Sequence, residues 1–147
     1  MSEIRQAVLQ DVEQLSGLFN QYRIFYKKES DPEAAQLFLH NRMKNHESVI
    51  FLALQENILA GFVQLYPLFS STRLKRLWLL NDLFVLPDYR GSRISVELIE
   101  KCKTHCIQTD ACGLILETAM DNSIGNTLYP RTGFTLDTEF NRYYWDA

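Results

Sequence analysis

The stretch that decides the fold is residues 82–95, which reads DLFVLPDYRGSRIS. It joins the end of an apolar segment, residues 77–85, to a loop that can turn sharply at Gly91. An apolar stripe with helical spacing then begins at Ile94. A segment that is apolar on both faces is typical of a strand in the middle of a sheet. The stretch therefore predicts a central strand, a loop and an amphipathic helix.

Upstream, the pattern predicts a strand, two helices and a two-stranded hairpin. The sequence Asp31-Pro32-Glu33 indicates the start of the second helix, because Asp31 can accept hydrogen bonds from the first N–H groups and Pro32 suits the first helical position. The expected positions are residues 4–7 for the strand, from Asp11 onward for the first helix, and 48–54 and 59–66 for the hairpin, turned at Glu56-Asn57.

Downstream, we expect a strand at residues 114–118, a short helix at 123–129 and a final strand or hairpin at 133–144. The order is then strand, two helices, three strands, helix, strand, helix, strand. This order predicts an α/β fold with a mixed sheet, in which a half built from hairpins continues into a half built from a parallel crossover. The 147 residues fit one domain, residues 1–147.

Composition excludes several classes of protein. A chain with 46% hydrophobic and 22% charged residues is not intrinsically disordered, and a net charge of −3 argues against nucleic-acid binding as its main activity. No apolar run approaches the ~18 residues that span a bilayer, and the first residues lack a signal-peptide pattern, so we expect a cytoplasmic protein without a membrane partner. The three cysteines predict buried free thiols, with neither a disulfide framework nor a metal site.

The loop at Gly91 is the candidate binding element. The start of a helix leaves several backbone N–H groups without partners, and these groups attract anions. Arg90 and Arg93 add two guanidinium groups that suit phosphate oxygens. The alternative is that Gly91 only closes a turn and that both arginines are solvated.

Two motifs carry a resemblance to a known family. The pattern Leu83-x-Val85-x-Pro87-x-x-Arg90-Gly91-x-x-Ile94 resembles the acetyl-CoA-binding motif of the GNAT superfamily of N-acetyltransferases. Asn122 together with Asn126-x-Leu128-Tyr129-x-x-x-Gly133-Phe134 is similar to the C-terminal motif of that superfamily. The resemblance covers the whole chain and implies the GNAT-like acyl-CoA N-acyltransferase fold. Residues 80–85 further resemble the diamine, polyamine and small-amine branch.

The resemblance implies a role for each matching residue. The main chain of Leu83, Phe84 and Val85 would pair with the pantetheine arm of acetyl-CoA. Asn122 would contact the same arm, and Tyr129 would lie near the thioester sulfur. The pyrophosphate would be cradled by backbone N–H groups of the loop, which belong to Arg90, Gly91, Ser92, Arg93, Ile94 and Ser95.

The chain departs from the family pattern at three positions. Arg93 stands where glycine is usual, and Ser95 stands where glycine or alanine is usual. Glycine serves where φ must be positive or where a ligand approaches the backbone closely, and arginine suits neither. Pro130 directly follows Tyr129, so we expect the short helix to kink or end there.

Acetyl transfer to an amine by direct attack needs a base, a polarised carbonyl and a proton for the leaving thiolate. Asp82 is the candidate base, either directly or through a water held by Asn81 and Asp82, and alternation is expected to place these two side chains on opposite faces. Asp82 could instead pair with an arginine or cap a turn. A backbone N–H of Phe84 or Val85 would polarise the carbonyl, and Tyr129 would be the acid.

The sequence thus predicts an acetyl-CoA-dependent N-acetyltransferase that acts on a small primary amine: a polyamine, a diamine or an amino-acid-like amine. The alternatives are a non-catalytic module that binds CoA or another anion or supports oligomerisation, and an acetyltransferase of protein or peptide amines. We expect no nucleic-acid partner. Four aromatic residues near the C-terminus either belong to the core or form a C-terminal aromatic surface through which a homodimer could assemble: Phe140, Tyr143, Tyr144 and Trp145.

Overall fold

A five-stranded mixed sheet organises the fold. The structure is a computed structural model, and it describes residues 2–147. The strands are β1 (Glu3–Gln6), β2 (Val49–Gln55), β3 (Ile58–Ser70), β4 (Lys75–Val85) and β5 (Leu114–Ile115). Their order in the sheet is the order in the chain; neighbouring strands are antiparallel except β4 and β5, which are parallel. The predicted α/β class with a mixed sheet is confirmed.

Within the described residues, the strands of the sheet are accompanied by four α-helices. They are α1 (Val12–Phe25), α2 (Pro32–Lys44), α3 (Ile94–Gln108) and α4 (Ser123–Arg131), with short 3₁₀ turns at Leu9–Asp11 and Pro87–Tyr89. The chain forms two compact units, one ending at Glu117 and the other, Thr118–Ala147, containing α4. None of the helices within residues 2–147 has the length and apolar character that crossing a bilayer requires.

In the N-terminal unit, apolar side chains pack on both faces of the sheet. On one face α1 and α2 bury Leu15 and Leu39 against sheet residues that include Phe62. On the other face α3 buries Leu98 and Cys102, and its His105 ring contacts Phe51 of β2. The central strands are therefore covered on both sides, as their apolar sequences require.

Two local predictions are confirmed in detail. Asp31 caps α2, because its Oδ1 accepts a hydrogen bond from the backbone N–H of Ala34 at 3.1 Å. Glu56 and Asn57 turn the hairpin between β2 and β3 with φ values of 51° and 66°. Positive φ at both central residues is the geometry that matches the twist of a two-residue hairpin.

Several expected boundaries were wrong. β3 continues past Tyr66 through Pro67, which lies opposite Trp78, as far as Ser70. β5 covers two residues instead of the five expected, and within the described residues no strand follows α4, so the final strand expected at residues 133–144 is absent. A strand needs a neighbouring edge to pair with, and the local sequence does not specify that edge.

Pro130 lies inside α4, and the helix ends one residue later, at Arg131. The lost N–H would have bonded to the carbonyl of Asn126, four residues earlier. Thr132 closes the last turn instead: its backbone N–H lies 3.0 Å from the carbonyl oxygen of Leu128 and 3.1 Å from that of Tyr129. The expected helix end near Tyr129 is thus shifted by two residues.

Candidate active site

The loop between β4 and α3 has the predicted outline. Gly91 has a φ of 76°, which a residue with a side chain rarely adopts, so the glycine makes the sharp turn. Ser92 braces the turn, because its hydroxyl donates to the carbonyl oxygen of Tyr89 at 2.6 Å. The helix begins at Ile94, whose side chain is buried. The loop is therefore anchored on both sides of the turn.

The start of α3 carries unpartnered amides. Its N-cap residue, Arg93, makes no capping hydrogen bond through its side chain, whereas Asp31 caps α2 and Asn122 caps α4. In the part of the chain that the structure describes, the amides of Gly91, Ser92 and Arg93 have no protein acceptor. Successive N–H groups at a helix start form an anion site, with the positive end of the helix dipole behind them.

The two arginines of the loop have different surroundings. Arg90 lies across the end of β4, where its Nε donates to the carbonyl oxygen of Val85 at 2.9 Å. Its guanidinium carbon is 5.3 Å from the ring centroid of Phe25 and 5.4 Å from that of Phe84. Arg93 is exposed, with a φ of −86°. Since that φ is negative, the backbone at this position does not require the glycine that is usual in the family pattern.

The middle of β4 contains a bulge that the sequence did not reveal. Gln64 of β3 lies opposite Asp82, but Leu65 lies opposite Leu80, so Asn81 has no counterpart across the ladder. The expectation that Asn81 and Asp82 lie on opposite faces was wrong. Their side chains are in contact instead, with Asn81 Nδ2 donating to Asp82 Oδ1 at 3.1 Å, because an extra residue redirects neighbouring side chains.

Asp82 is a buried carboxylate held by amides. Its relative exposure is 6%, and its Oδ2 accepts a hydrogen bond from Gln64 Nε2 at 2.8 Å. Among residues 2–147 no Lys, Arg or His nitrogen forms an ion pair with it, so the alternative of an arginine partner is not observed. Burial and the charge of Asp82 raise the pKa of Tyr66, which therefore stays a neutral phenol in the physiological range.

A cleft of about 460 Å³ opens over this carboxylate. Its floor is formed by Asn81 and Asp82 of β4 and by Tyr66 of β3, and its walls come from α1, α2 and the segment between them. The wall residues are Phe19, Tyr22, Arg23, Tyr26, Lys28, Ala34, Ala35 and Phe38. A cleft lined by aromatic rings together with a few polar and charged groups is typical of a small-molecule site.

The C-terminal unit holds the other predicted site residues. Asn122 caps α4, with Oδ1 accepting from the N–H of Gly125 at 3.1 Å and Nδ2 donating to Thr118 Oγ1 at 2.9 Å. Tyr129 lies on α4, and its ring packs edge-on against Phe134 at 5.8 Å. A capping role for Asn122 is thus observed, while the cofactor contact of Asn122 and the acid role of Tyr129 stay predictions.

Sequence reasoning missed Gln64 and Tyr66. Both lie on β3, within a segment that reads as an ordinary buried strand. Gln64 has no exposed surface, and a glutamine is unusual in a protein core. The presence of a glutamine within this apolar strand is the signal that could have drawn attention to it. Its partner, Asp82, could not be read from the sequence because the pairing depends on the register of β3 and β4.

A family profile described as the acetyltransferase (GNAT) family matches residues 13–134. The chain belongs to this family. The acetyltransferase is 43% identical over 140 residues to an uncharacterized N-acetyltransferase of Bacillus subtilis (strain 168), covering 95% of this chain and 94% of the relative. A crystal structure of a probable acetyltransferase superposes with a TM-score of 0.92 at 38% identity, covering 99% of this chain and 97% of that one.

A more distant structure contains a ligand. A predicted acetyltransferase from Clostridium acetobutylicum, solved with acetyl-CoA, superposes with a TM-score of 0.79 at 16% identity and covers 98% of this chain and 96% of its own. At that identity the likeness concerns the fold. The relative from Bacillus subtilis and the family profile identify the chain as an N-acetyltransferase.

In this acetyltransferase the end of β4 is paired on one side alone within the sheet. β5 pairs with β4 only at Trp78 and Leu79, so among residues 2–147 no strand of the sheet flanks residues 83–85 on that side. On the other side Leu83, Phe84 and Val85 pair with β3. The unpaired edge runs directly into the loop with the unpartnered amides, which brings together two of the groups assigned to the cofactor in the sequence.

Proposed function

We propose that this N-acetyltransferase transfers an acetyl group from acetyl-CoA to a small primary amine bound in the cleft over Asp82. The observation that carries the proposal is the state of Asp82: a buried carboxylate held by two neutral amides, with no ion-pair partner in the described chain. Burying a charge without a counter-ion costs free energy, and an incoming ammonium would supply that counter-ion.

Two features of the chain fit acetyl-CoA. The unflanked edge at residues 83–85 can form hydrogen bonds with the amide groups of the pantetheine arm, as an added strand would. The amides of Gly91, Ser92 and Arg93 can receive the pyrophosphate oxygens. The relative from Clostridium acetobutylicum with the same fold is described with acetyl-CoA, which supports the same assignment here. Acetyl-CoA supplies an activated acetyl group as a thioester.

The chain's own groups can then serve the transfer. Asp82, directly or through a water shared with Asn81, takes a proton from the ammonium, which gives the nitrogen a lone pair. As the C–N bond forms and the C–S bond breaks, a backbone N–H of Phe84 or Val85 stabilises the negative charge on the carbonyl oxygen. The leaving thiolate takes a proton, for which Tyr129 is our candidate donor. The second proton of the attacking nitrogen is lost to solvent as the amide forms, and Tyr129 regains a proton from solvent.

The test replaces Asp82 by asparagine and measures acetyl-CoA-dependent thiol release with a panel of small amines. Asp82→Asn keeps the shape of the side chain, and Gln64 can rotate its amide so that Oε1, which has no partner among the described residues, accepts the new N–H. We expect kcat to fall by roughly 10²–10⁴-fold, the usual contribution of a positioned base.

Asp110→Asn is the matched control, because it removes a surface carboxylate that pairs only with Lys75. Acetyl-CoA binding to Asp82→Asn, measured by calorimetry, should stay near that of the wild type. Turnover of Asp82→Asn within threefold of the wild type would contradict the proposal. Wild-type protein that binds acetyl-CoA but acetylates no amine would favour the non-catalytic module, and turnover on peptides alone would favour the peptide alternative.

A further inference from the structure

The cleft over Asp82 is electrically asymmetric. Asp82 is the one carboxylate that lines it within the described residues, and it lies on the floor. Two cationic residues, Arg23 and Lys28, line the wall formed by the end of α1 and the segment that follows. The lining therefore offers a negative group for an ammonium and, at a separate position, two positive groups.

The two cationic residues are linked by the way α1 ends. Lys27 has a φ of 61°, and the N–H of Lys28 donates to the carbonyl oxygen of Arg23 at 3.0 Å. A residue in the left-handed conformation, followed by a residue whose N–H bonds to the carbonyl oxygen five positions earlier, forms the Schellman motif at the end of a helix. This motif fixes the direction of the chain after the last turn. The same ending therefore places both residues on the wall of the cleft.

Neighbouring carboxylates do not cancel this positive charge through ion pairs. Arg23 Nη1 donates to the backbone carbonyl oxygen of Glu29 at 3.2 Å, which leaves the charge of its guanidinium uncompensated. The carboxylate of Asp31 caps α2 through Ala34. In the part of the chain that the structure describes, neither Arg23 nor Lys28 forms an ion pair.

Aromatic rings occupy the wall alongside these charges. Tyr22 packs against Tyr26 with ring centroids 5.0 Å apart and against Phe19 at 6.0 Å. Rings of this kind bury an apolar body without supplying a charge. A ligand that matches the whole lining has an ammonium, an apolar body and an anionic group.

We infer that the acceptor is an amino-acid-like amine: a primary amine with an apolar body and a carboxylate or phosphate group that binds Arg23 and Lys28. This inference rests on the proposed function and narrows it. A polyamine or diamine fits less well, because its second ammonium would face two cations on the wall. The preference comes from repulsion as well as attraction, as it commonly does at specific sites.

The experiment compares amines that differ only in the anionic group. The first pair is phenylalanine and 2-phenylethylamine, the second is O-phosphoethanolamine and ethanolamine, and spermidine represents the polyamines. We expect kcat/KM for the anionic member of at least one pair to exceed that of its partner by about tenfold or more, the size of one charge-assisted hydrogen bond. The pair with the larger ratio identifies carboxylate or phosphate as the anionic group.

Arg23→Gln and Lys28→Gln should each reduce that ratio by about tenfold, because they remove the attraction for the anion. Lys27→Gln is the matched control: it removes an adjacent, exposed charge that does not line the cleft, so the ratio should stay unchanged. A ratio that does not change in Arg23→Gln and Lys28→Gln overturns the inference, as does faster turnover of spermidine than of either anionic amine.

Failure of the inference can be separated from failure of the proposed function. Equilibrium binding of phenylalanine and 2-phenylethylamine to the full chain, measured by calorimetry, tests the charge pattern without any turnover. Tighter binding of phenylalanine, weakened by Arg23→Gln, supports the inference even if no small amine is acetylated. Equal or weaker binding of phenylalanine, together with a low ratio for the phosphate pair, overturns it even if small amines are substrates.

Discussion

Glycine is usual in the family pattern at the position of Arg93, either because φ must be positive or because a ligand approaches the backbone closely. The backbone conformation of Arg93 tests the first of these explanations. A φ of −86° shows that positive φ is not required, so the guanidinium is the property that distinguishes this chain. Arg93→Ala removes that group without adding backbone freedom. We expect the affinity for CoA to fall by about 1–3 kcal/mol, as for a charge-assisted hydrogen bond to phosphate. Calorimetric titration with CoA measures the change.

Arg93→Gly completes the comparison. If the guanidinium is what matters, glycine and alanine should weaken CoA binding to the same extent. Tighter binding by the glycine variant would show instead that the pyrophosphate needs close approach to the backbone at this position. Unchanged affinity in both variants would remove Arg93 from the binding site.

Gly61 shows close packing between β3 and the end of β4. A Cβ atom built on Gly61 would lie 2.9 Å from the carbonyl oxygen of Phe84 and 3.3 Å from Val85 Cγ2. Gly61→Ala therefore forces the two strands apart, and we expect it to lower the free energy of unfolding by about 1–3 kcal/mol, the usual cost of overpacking. Urea denaturation measures the change.

The control for this substitution lies in α1. A Cβ at Gly17 would meet no atom within 4 Å, and the residue is exposed in the middle of a helix. Gly17→Ala should raise the free energy of unfolding by about 0.5–1 kcal/mol, because alanine loses less backbone freedom on folding. Equal free energies of unfolding for the two variants would contradict the close approach of the strands at Gly61.

At the level of elements, α3 makes the stability of the protein dependent on pH through His105. Its ring lies 4.8 Å from that of Trp78 and 5.5 Å from that of Phe51. Burial lowers the pKa of His105 below its ordinary value of 6.5, and the charges of Arg76 on β4 and Lys101 on α3 lower it further. The folded protein therefore binds the His105 proton more weakly than the unfolded chain does.

The direction of the pH effect follows from that difference in pKa. Between the lowered pKa and 6.5 the unfolded chain binds more protons, so stability rises with pH across this window and falls as the solution is acidified below 6.5. Urea midpoints at pH 7.5 and pH 5.5 should show the loss, and His105→Gln should reduce it. His40→Gln, on α2, should leave the loss in place. An equal loss in wild type and His105→Gln would contradict the assignment.

The elements that the sequence predicted are those whose signals are local. Apolar spacing located α1, α2 and α3, since a helix buries one face wherever it packs. Asp31 and the Glu56-Asn57 turn were predictable because a cap and a tight turn involve only neighbouring residues. The bulge at Asn81 and the length of β3 were not, because both depend on the pairing of strands distant in the chain.

The candidate site divides in the same way. The anion loop was predictable from the turn at Gly91 and from the helix that begins at Ile94. The hydrogen bond between Gln64 and Asp82 and the contribution of Tyr66 to the cleft were not, because β3 and β4 must first be brought into register. Local sequence thus indicated the loop before α3 better than the cleft over Asp82.

At the level of the whole molecule, the C-terminal unit exposes an aromatic surface, the one defined above by Phe140, Tyr143, Tyr144 and Trp145. The relative exposures are 79%, 88%, 78% and 84%. Exposed apolar groups clustered in one short segment commonly mark an interaction site. The homodimer expected from the sequence stays a prediction, and this surface is where we expect the two copies to meet.

Light scattering coupled to gel filtration tests this prediction directly. At micromolar concentration we expect a mass of twice the 17.2 kDa chain, because burial of four aromatic side chains from each copy removes a large apolar area from water. Tyr144→Ser combined with Trp145→Ser should shift the mass towards that of one chain. Ile107→Ser is the control, since Ile107 is 80% exposed on α3, away from this segment in the sequence. A wild-type mass of 17.2 kDa at all concentrations would show that the surface does not hold two copies together.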